Sequence, residues 1–308
     1  MHNNVWSDLG IIKSFFILPS LFAISLAYIN RQDKNSIDFY LKFYLLYSSA
    51  LALASLPAFI SGQFSYDQRI SLIFQSPNQL AFPISLGYLI SIYFLLSKNK
   101  SFLFFSILAI LHFLAVFLTH STGAIFSLIV LTLIFLLVKK YQKLPRKFFA
   151  ILIISQILSL VFIINLSFFL DITSYNPFQN KNSLDSRAVI YLVSGKIIKE
   201  NYLFGIGASG FQEKYLEKQP SLKPYPQWAV PHSHNFFSQI WLSFGLCGLL
   251  LFFGIIIQKN ISLKNISTNN FKSVLILILL GYFLLHGLVD IPFWKNEMAL
   301  FFWFLIFI

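Results

Sequence analysis

Two histidines one residue apart, His232 and His234, stand where a polar stretch, "WAVPHSHNFF", gives way to a long apolar run. Pro231 precedes them and the run opens at Phe236, which predicts His234 and Asn235 at the first turn of a helix. A helix N-terminus carries unpaired N–H groups and a positive field, so an imidazole there is biased to its neutral, proton-accepting form. The chemistry open to it is general-base catalysis. A plainer reading stands beside this one: an interfacial histidine that caps or anchors the helix. His-x-His also supplies two metal ligands, but no Cys, Asp or Glu close in sequence completes the set, so no metal is expected.

Arg187 lies in "SLDSRAVIYLVSGKIIKEN", which reads as an amphipathic helix with Leu192, Val193, Ile197 and Ile198 as its apolar stripe. Arg187, Tyr191 and Gly195 fall on another face. A guanidinium fork matches phosphate oxygens, so Arg187 suits a diphosphate; the alternative is a solvated surface arginine. Arg69 is a second residue for the same task, and Lys196 and Lys199 add positive charge on the helix. His286 and Asp290 are four apart on an apolar helix, a spacing that shares a face and suits a base with its orienting carboxylate. An interhelical hydrogen bond would explain them equally well. His120 in "THSTG" can line the same site, whereas His112 reads as structural. "GIGASGF", from Gly205 to Phe211, matches G-x-G-x-x-G in letters but lacks the strand–turn–helix context of a dinucleotide site. It reads as a flexible turn.

Elements that position these residues follow from composition. Of 308 residues, 57% are hydrophobic and only 11% charged, and Phe alone occurs 37 times. Apolar runs of about 20 residues recur, enough to cross a hydrocarbon core. An all-α polytopic membrane protein follows; spanning barrels would alternate polar and apolar residues. Hydropathy predicts nine spans, near 11–29, 40–60, 80–97, 102–118, 122–138, 148–170, 235–257, 273–291 and 298–308. The chain then reads as one membrane domain, with spans one to six in 1–170, a long loop at 171–234 and spans seven to nine in 235–308. The net charge of +12 does not point to nucleic acid, because much of it lies in short odd-numbered loops, including Arg31, Lys34, Lys98, Lys143 and Lys264. Those loops are cytoplasmic by the positive-inside rule, and the even loops, with Arg69, His120, Arg187 and His234, face out. One cysteine, Cys247, rules out an intrachain disulfide. The last run ends at Ile308 without a polar flank, and the chain opens without a basic leader, so it reads either as complete or as a fragment lacking helices.

Four stretches together resemble a known family. His234-Asn235, nine residues, Gly245, two residues and Gly248 are similar to the His-Asn-x9-Gly-x-x-Gly signature of the O-antigen ligase superfamily. "SRAVIYLVSGKIIKENYLFGIGASGF" resembles that family's Arg-containing outer helix with its Gly-x-Gly turn. "SPNQLAFPISL" at 76–86 resembles its Pro-Asn-x-x-Ala start of a span, and "HGLVDIPF" at 286–293 its late His-x-x-x-Asp-x-Pro element. The stretches occur in family order. There are departures: the family's Arg-x3-Leu spacing places Tyr191 where Leu is usual, Leu192 being one further on, and its outer Ser-Arg-Gly reads Ser121-Thr122-Gly123. Members usually carry about a dozen spans against the nine expected here.

The resemblance implies a GT-C-like membrane glycosyltransferase without cofactor or metal. Its donor is a glycan on undecaprenyl diphosphate, and its acceptor is lipid A-core, a growing polysaccharide or a protein hydroxyl. The expected place is the bacterial inner membrane, with the active face periplasmic. Within that reading His234 and Arg187 are catalytic, and Arg69, Tyr191, His232, Asn235, Lys196, His286 and Asp290 bind substrate. A polysaccharide polymerase of the same superfamily takes the same donor. A lipid-linked glycan transporter is the competing class; it needs cations for diphosphate but no base at an outer helix end, and the spans here are nearly charge-free at mid-depth.

Overall fold

The computed structural model describes residues 5–30, 36–65, 68–97, 101–140, 183–219, 229–265 and 271–308. All regular elements among them are helical. The first apolar stretch runs from Val5 as α1 (Val5–Ile12), a π-helical turn (Lys13–Ile17) and α2 (Leu18–Asn30). Then follow α3 (Ser36–Ile60), α4 (Pro77–Leu96), α5 (Phe102–Leu118) and α6 (Thr122–Lys140). Beyond them come α7 (Ser183–Glu200), α8 (Phe211–Lys218), α9 (Phe236–Asn265), α10 (Phe271–His286) and α11 (Asn296–Phe307). Among the described residues, four stretches are long and apolar enough to cross a membrane, namely Val5–Ile29, Ile37–Ile60, Pro77–Leu96 and Phe236–Lys259. The helices of 102–118, 122–138, 271–286 and 296–307 are apolar but shorter. The expected span at 148–170 and the basic loop after α6 lie outside the described residues, as does the Pro-rich stretch 220–228.

At the centre stands α4, apolar all round and buried almost throughout, as a helix enclosed by others must be. It starts sharply: Ser76 accepts from the Gln79 N–H (3.2 Å), and Pro77 occupies the first helical position. Helices α3, α5, α6 and α10 surround it. Close approach rests on small residues. A side chain at Gly87 would overlap Ser48 and His112, whose Oγ and Nε2 meet at 2.9 Å. With Nδ1 held by the Leu108 carbonyl (2.6 Å), His112 is a buried interhelical tie. Lys272 and Asp38 pair at 3.0 Å, joining the starts of α10 and α3 at one end of the bundle. At the other end of α10, Phe236, Phe252, Phe283, Phe293 and Phe302 form an aromatic knot between α9, α10 and α11.

Outside this bundle α7 and α8 share a second, smaller core of Ile190, Val193, Ile197, Phe211, Tyr215, Val230 and Leu242. The stripe therefore runs Ile190–Val193–Ile197; Leu192 is exposed and Ile198 only half-buried, because the helix faces a single partner rather than a broad surface. Another difference from the sequence reading lies at α10. It stops at His286, so Asp290 sits in the following turn, where its N–H still donates to the His286 carbonyl at 3.1 Å.

Candidate active site

Four segments meet at the end of the bundle where α3 and α5 stop and α4, α6 and α9 begin. They enclose a cavity of about 320 Å³ with a largely polar lining. Arg69 reaches it from the α3–α4 loop, and Arg187 from the first turns of α7. Asn78, second residue of α4, and Ser121, Thr122 and Gly123, at the start of α6, complete much of the wall. Two guanidinium groups and two helix N-termini thus face one space, an arrangement that favours an anion rich in oxygen.

Unusual backbone aims these groups. Gln68 and His120 both have positive φ, 56° and 50°, uncommon for residues with side chains. The Arg69 carbonyl accepts from Ser65 N (2.8 Å) and Ser65 Oγ (2.6 Å), closing a tight turn. The Arg69 guanidinium donates to the His120 carbonyl at 3.4 Å. Burial, reinforced by the Arg69 charge, pushes the His120 imidazole below its ordinary pKa.

His286 and Val289 form the cavity's remaining side. His286 is fixed by Tyr282, whose hydroxyl lies 2.8 Å from Nδ1, and by stacking on Phe82 at 4.1 Å between centroids. Gly123 makes room for this, since any side chain there would meet Val289 and His286. Against the same 287–290 turn, which ends at Asp290, lie His232 and His234. The imidazoles of His232 and His234 face each other with centroids 4.3 Å apart, and His234 Nδ1 is 3.8 Å from Asp290 Oδ1. The carboxylate is oriented by the Ile291 N–H, which donates to Oδ1 at 2.8 Å.

A dense set of bonds holds this corner. The Tyr191 hydroxyl shares its one proton between the carbonyls of His234 (3.2 Å) and Leu288 (3.1 Å). Asn235 donates to the Leu288 carbonyl (3.0 Å), and its Oδ1 accepts from Ser238 N (3.0 Å). Asn235 is therefore the cap of α9, and His234, with φ of 49°, stands just outside the helix. Phe236 N donates to the Gly287 carbonyl (2.7 Å), and Ser233 N to Gln239 Oε1 (2.9 Å). The capping explanation for His234 thus fails, since its neighbour does that work.

Electrostatics follow from this packing. Burial holds His234 below the ordinary imidazole range; Asp290 opposes this, and the charges of Arg187 and Lys295 assist it. His232 is pushed well down, first by burial and then by the His234 charge. Burial raises the Asp290 carboxyl, but the three imidazoles and the Ile291 N–H outweigh it and keep the group below its usual value. Burial thus favours the neutral form of both imidazoles, so His234 can accept a proton.

The fold brings most of the nominated residues together: Arg69, Arg187 and His286 line the cavity, His232, His234 and Asp290 form a cluster beside it, and Tyr191 and Asn235 tie the two. Lys196 is exposed on α7 and does not line the cavity. Asn78 and the Ser121–Gly123 turn were not singled out as ligands; their signal is that each opens a helix. The Gly-rich turn also does more than the letters suggest. Gly205 and Gly207, with φ of 72° and 86°, fold it against α9 and against Asp8, whose Oδ1 accepts from Ser209 N (2.7 Å) and Oγ (2.6 Å).

A family model described as O-antigen ligase matches residues 105–253, just under half of the chain. The matched stretch contains Arg187, Tyr191, His232, His234 and Asn235, while Arg69, His286 and Asp290 reach the site from outside it. No curated protein matches the chain.

Proposed function

We infer, from the membership of residues 105–253 in the O-antigen ligase superfamily, that this membrane protein transfers a glycan from an undecaprenyl-diphosphate carrier to an acceptor hydroxyl on the periplasmic face. The observation that carries the reading is one corner with two parts. Arg69 and Arg187 line a polar cavity, and beside it His234 Nδ1 lies 3.8 Å from Asp290 Oδ1. Diphosphate is a good leaving group once its growing charge is stabilised, and two guanidinium groups supply that. The acceptor hydroxyl is a poor nucleophile, and His234 takes its proton as the oxygen attacks the anomeric carbon. The C–O bond to diphosphate breaks as the new glycosidic bond forms on the opposite side, so the anomeric centre inverts. Asp290 stabilises the imidazolium that results. The step requires no metal and no cofactor, and the chain takes a GT-C-like arrangement of nine spans.

The acceptor is lipid A-core, a growing polysaccharide or a protein; ligase and polymerase share this donor chemistry. A transporter would need no base beside the arginines. The test is transfer from a lipid-linked glycan by the purified protein in liposomes. His234→Ala should lose activity by about 10²–10⁴-fold, the usual share of general-base catalysis, while still binding donor. Normal transfer by that variant at equal expression would overturn the assignment.

A further inference from the structure

Sequence spacing offers His232 and His234 no third metal ligand, but the fold brings one from 56 positions away. His232, His234 and Asp290 place one ligand atom each within 4.8 Å of one another. In both histidines Nδ1 is buried and has no hydrogen-bond partner. An orphaned buried nitrogen is costly, and two facing each other are unusual.

The distances suit a cation better than a hydrogen bond. His234 Nδ1 to Asp290 Oδ1, at 3.8 Å, is too long for a direct bond. It falls just inside the sum of one Zn–N and one Zn–O bond, about 2.0–2.2 Å each. Ligands of a tetrahedral zinc lie roughly 3.3 Å apart, so the set must draw in by up to about 1.5 Å on binding. The Ile291 N–H already orients the carboxylate, as outer partners of metal ligands do.

We propose that His232, His234 and Asp290 form an inhibitory site for a zinc-class divalent cation. Two imidazole nitrogens and one carboxylate oxygen bind the ion, and a fourth position stays with water. Bound cation occupies the lone pair of His234 and so stops proton transfer from the acceptor. Lys295, whose charge reaches both rings, and Arg187, whose charge reaches His234, weaken the binding of a dication. The site therefore loads when the cation is abundant and empties when it is not. The inhibitory half of the proposal rests on the base role of His234; the binding half does not.

The experiment uses the full chain, purified in detergent without a histidine tag and stripped by chelator. Zinc is titrated by calorimetry, and cobalt by its tetrahedral absorption band. One ion per chain is expected, with His232→Gln and Asp290→Asn each weakening affinity by roughly 10–100-fold or more. No saturable binding, or binding unchanged in both variants, overturns the site. Transfer is then measured with and without zinc, each variant against its own zinc-free rate. Stripped wild type should transfer fully and zinc should abolish it, while His232→Gln should need correspondingly more zinc. A chelator that stops transfer, with zinc restoring it, overturns inhibition and the metal-free base together. Binding with an inactive protein at every zinc level would instead leave the site standing and sink the transferase reading alone.

Discussion

At the scale of the residue, His234 combines features that seldom coincide. Its φ is positive, its ring is largely buried, and its carbonyl rather than its side chain is what the neighbouring Tyr191 holds. Backbone in that region costs of order 1–3 kcal/mol for a residue with a side chain, and such strain collects at functional sites. Asn tolerates positive φ better than most residues, so His234→Asn should keep the fold and lose transfer, since an amide cannot take the proton. Retained transfer in that variant would reduce His234 to a structural residue. His232→Ala should keep part of the activity, because one base suffices. Arg187→Ala should lower transfer by about 10²–10³-fold, the usual cost of removing one donor to developing charge. Arg187→Lys should recover only part of it, because an ammonium cannot make the paired contact of a guanidinium. Initial rates with saturating donor check both. The histidine and the arginine were legible from type and spacing. Their partner Asp290 was legible only as a helical neighbour of His286, because nothing local says that α10 stops four residues short of it.

Among the elements, the broken helix α9 decides how the arginine and the histidine are held together. Gly245 interrupts it with φ of 66° and ψ of −172°, a conformation open essentially to glycine alone. The break leaves the Leu242 carbonyl free to accept from Ile206 N (2.7 Å), and lets Leu246 N reach the Tyr202 carbonyl (2.8 Å). Trp241 Nε1 donates to the same carbonyl at 2.9 Å. The turn after α7 is thereby docked into α9, and α7 carries Arg187 while the start of α9 carries His234. A methyl at Gly245 would overlap the Leu203 carbonyl. Gly245→Ala should therefore cost more than the backbone strain of about 1–3 kcal/mol and lower both thermal stability and transfer. Gly254→Ala, in the same helix with nothing within 4 Å, is the control and should leave both nearly unchanged. Equal behaviour of the two variants would mean that the docking contributes nothing. The sequence shows Gly205, Gly207 and Gly245 as permissive positions; their pairing, across 40 residues, is a tertiary contact that no local pattern encodes.

For the whole molecule, hydropathy made the all-helical, membrane-type character legible, because a spanning helix must satisfy its own backbone and therefore declares itself as an apolar run. Which helix stands at the centre was less visible. Helix α4 is no more apolar than α5, and its burial depends on Gly87, Ser48 and His112 admitting close neighbours. Orientation is the remaining global property, and the site depends on it. Arg69, His120, Arg187 and His234 gather at one end, while the Lys272–Asp38 pair joins the starts of α10 and α3. Basic residues in the odd loops argue that the Lys272 end is cytoplasmic. Single cysteines in a Cys247→Ser background, one replacing the exposed Gln212 of α8 and one replacing Ser267 after α9, distinguish the two orientations. An impermeant thiol reagent applied to intact spheroplasts should label the cysteine at position 212 and spare that at 267, both reacting once the membrane is permeabilised. The reverse pattern would put the two arginines and His234 on the cytoplasmic side, where a periplasmic acceptor cannot reach them, and the proposed transfer would have to be abandoned whatever the behaviour of the point variants.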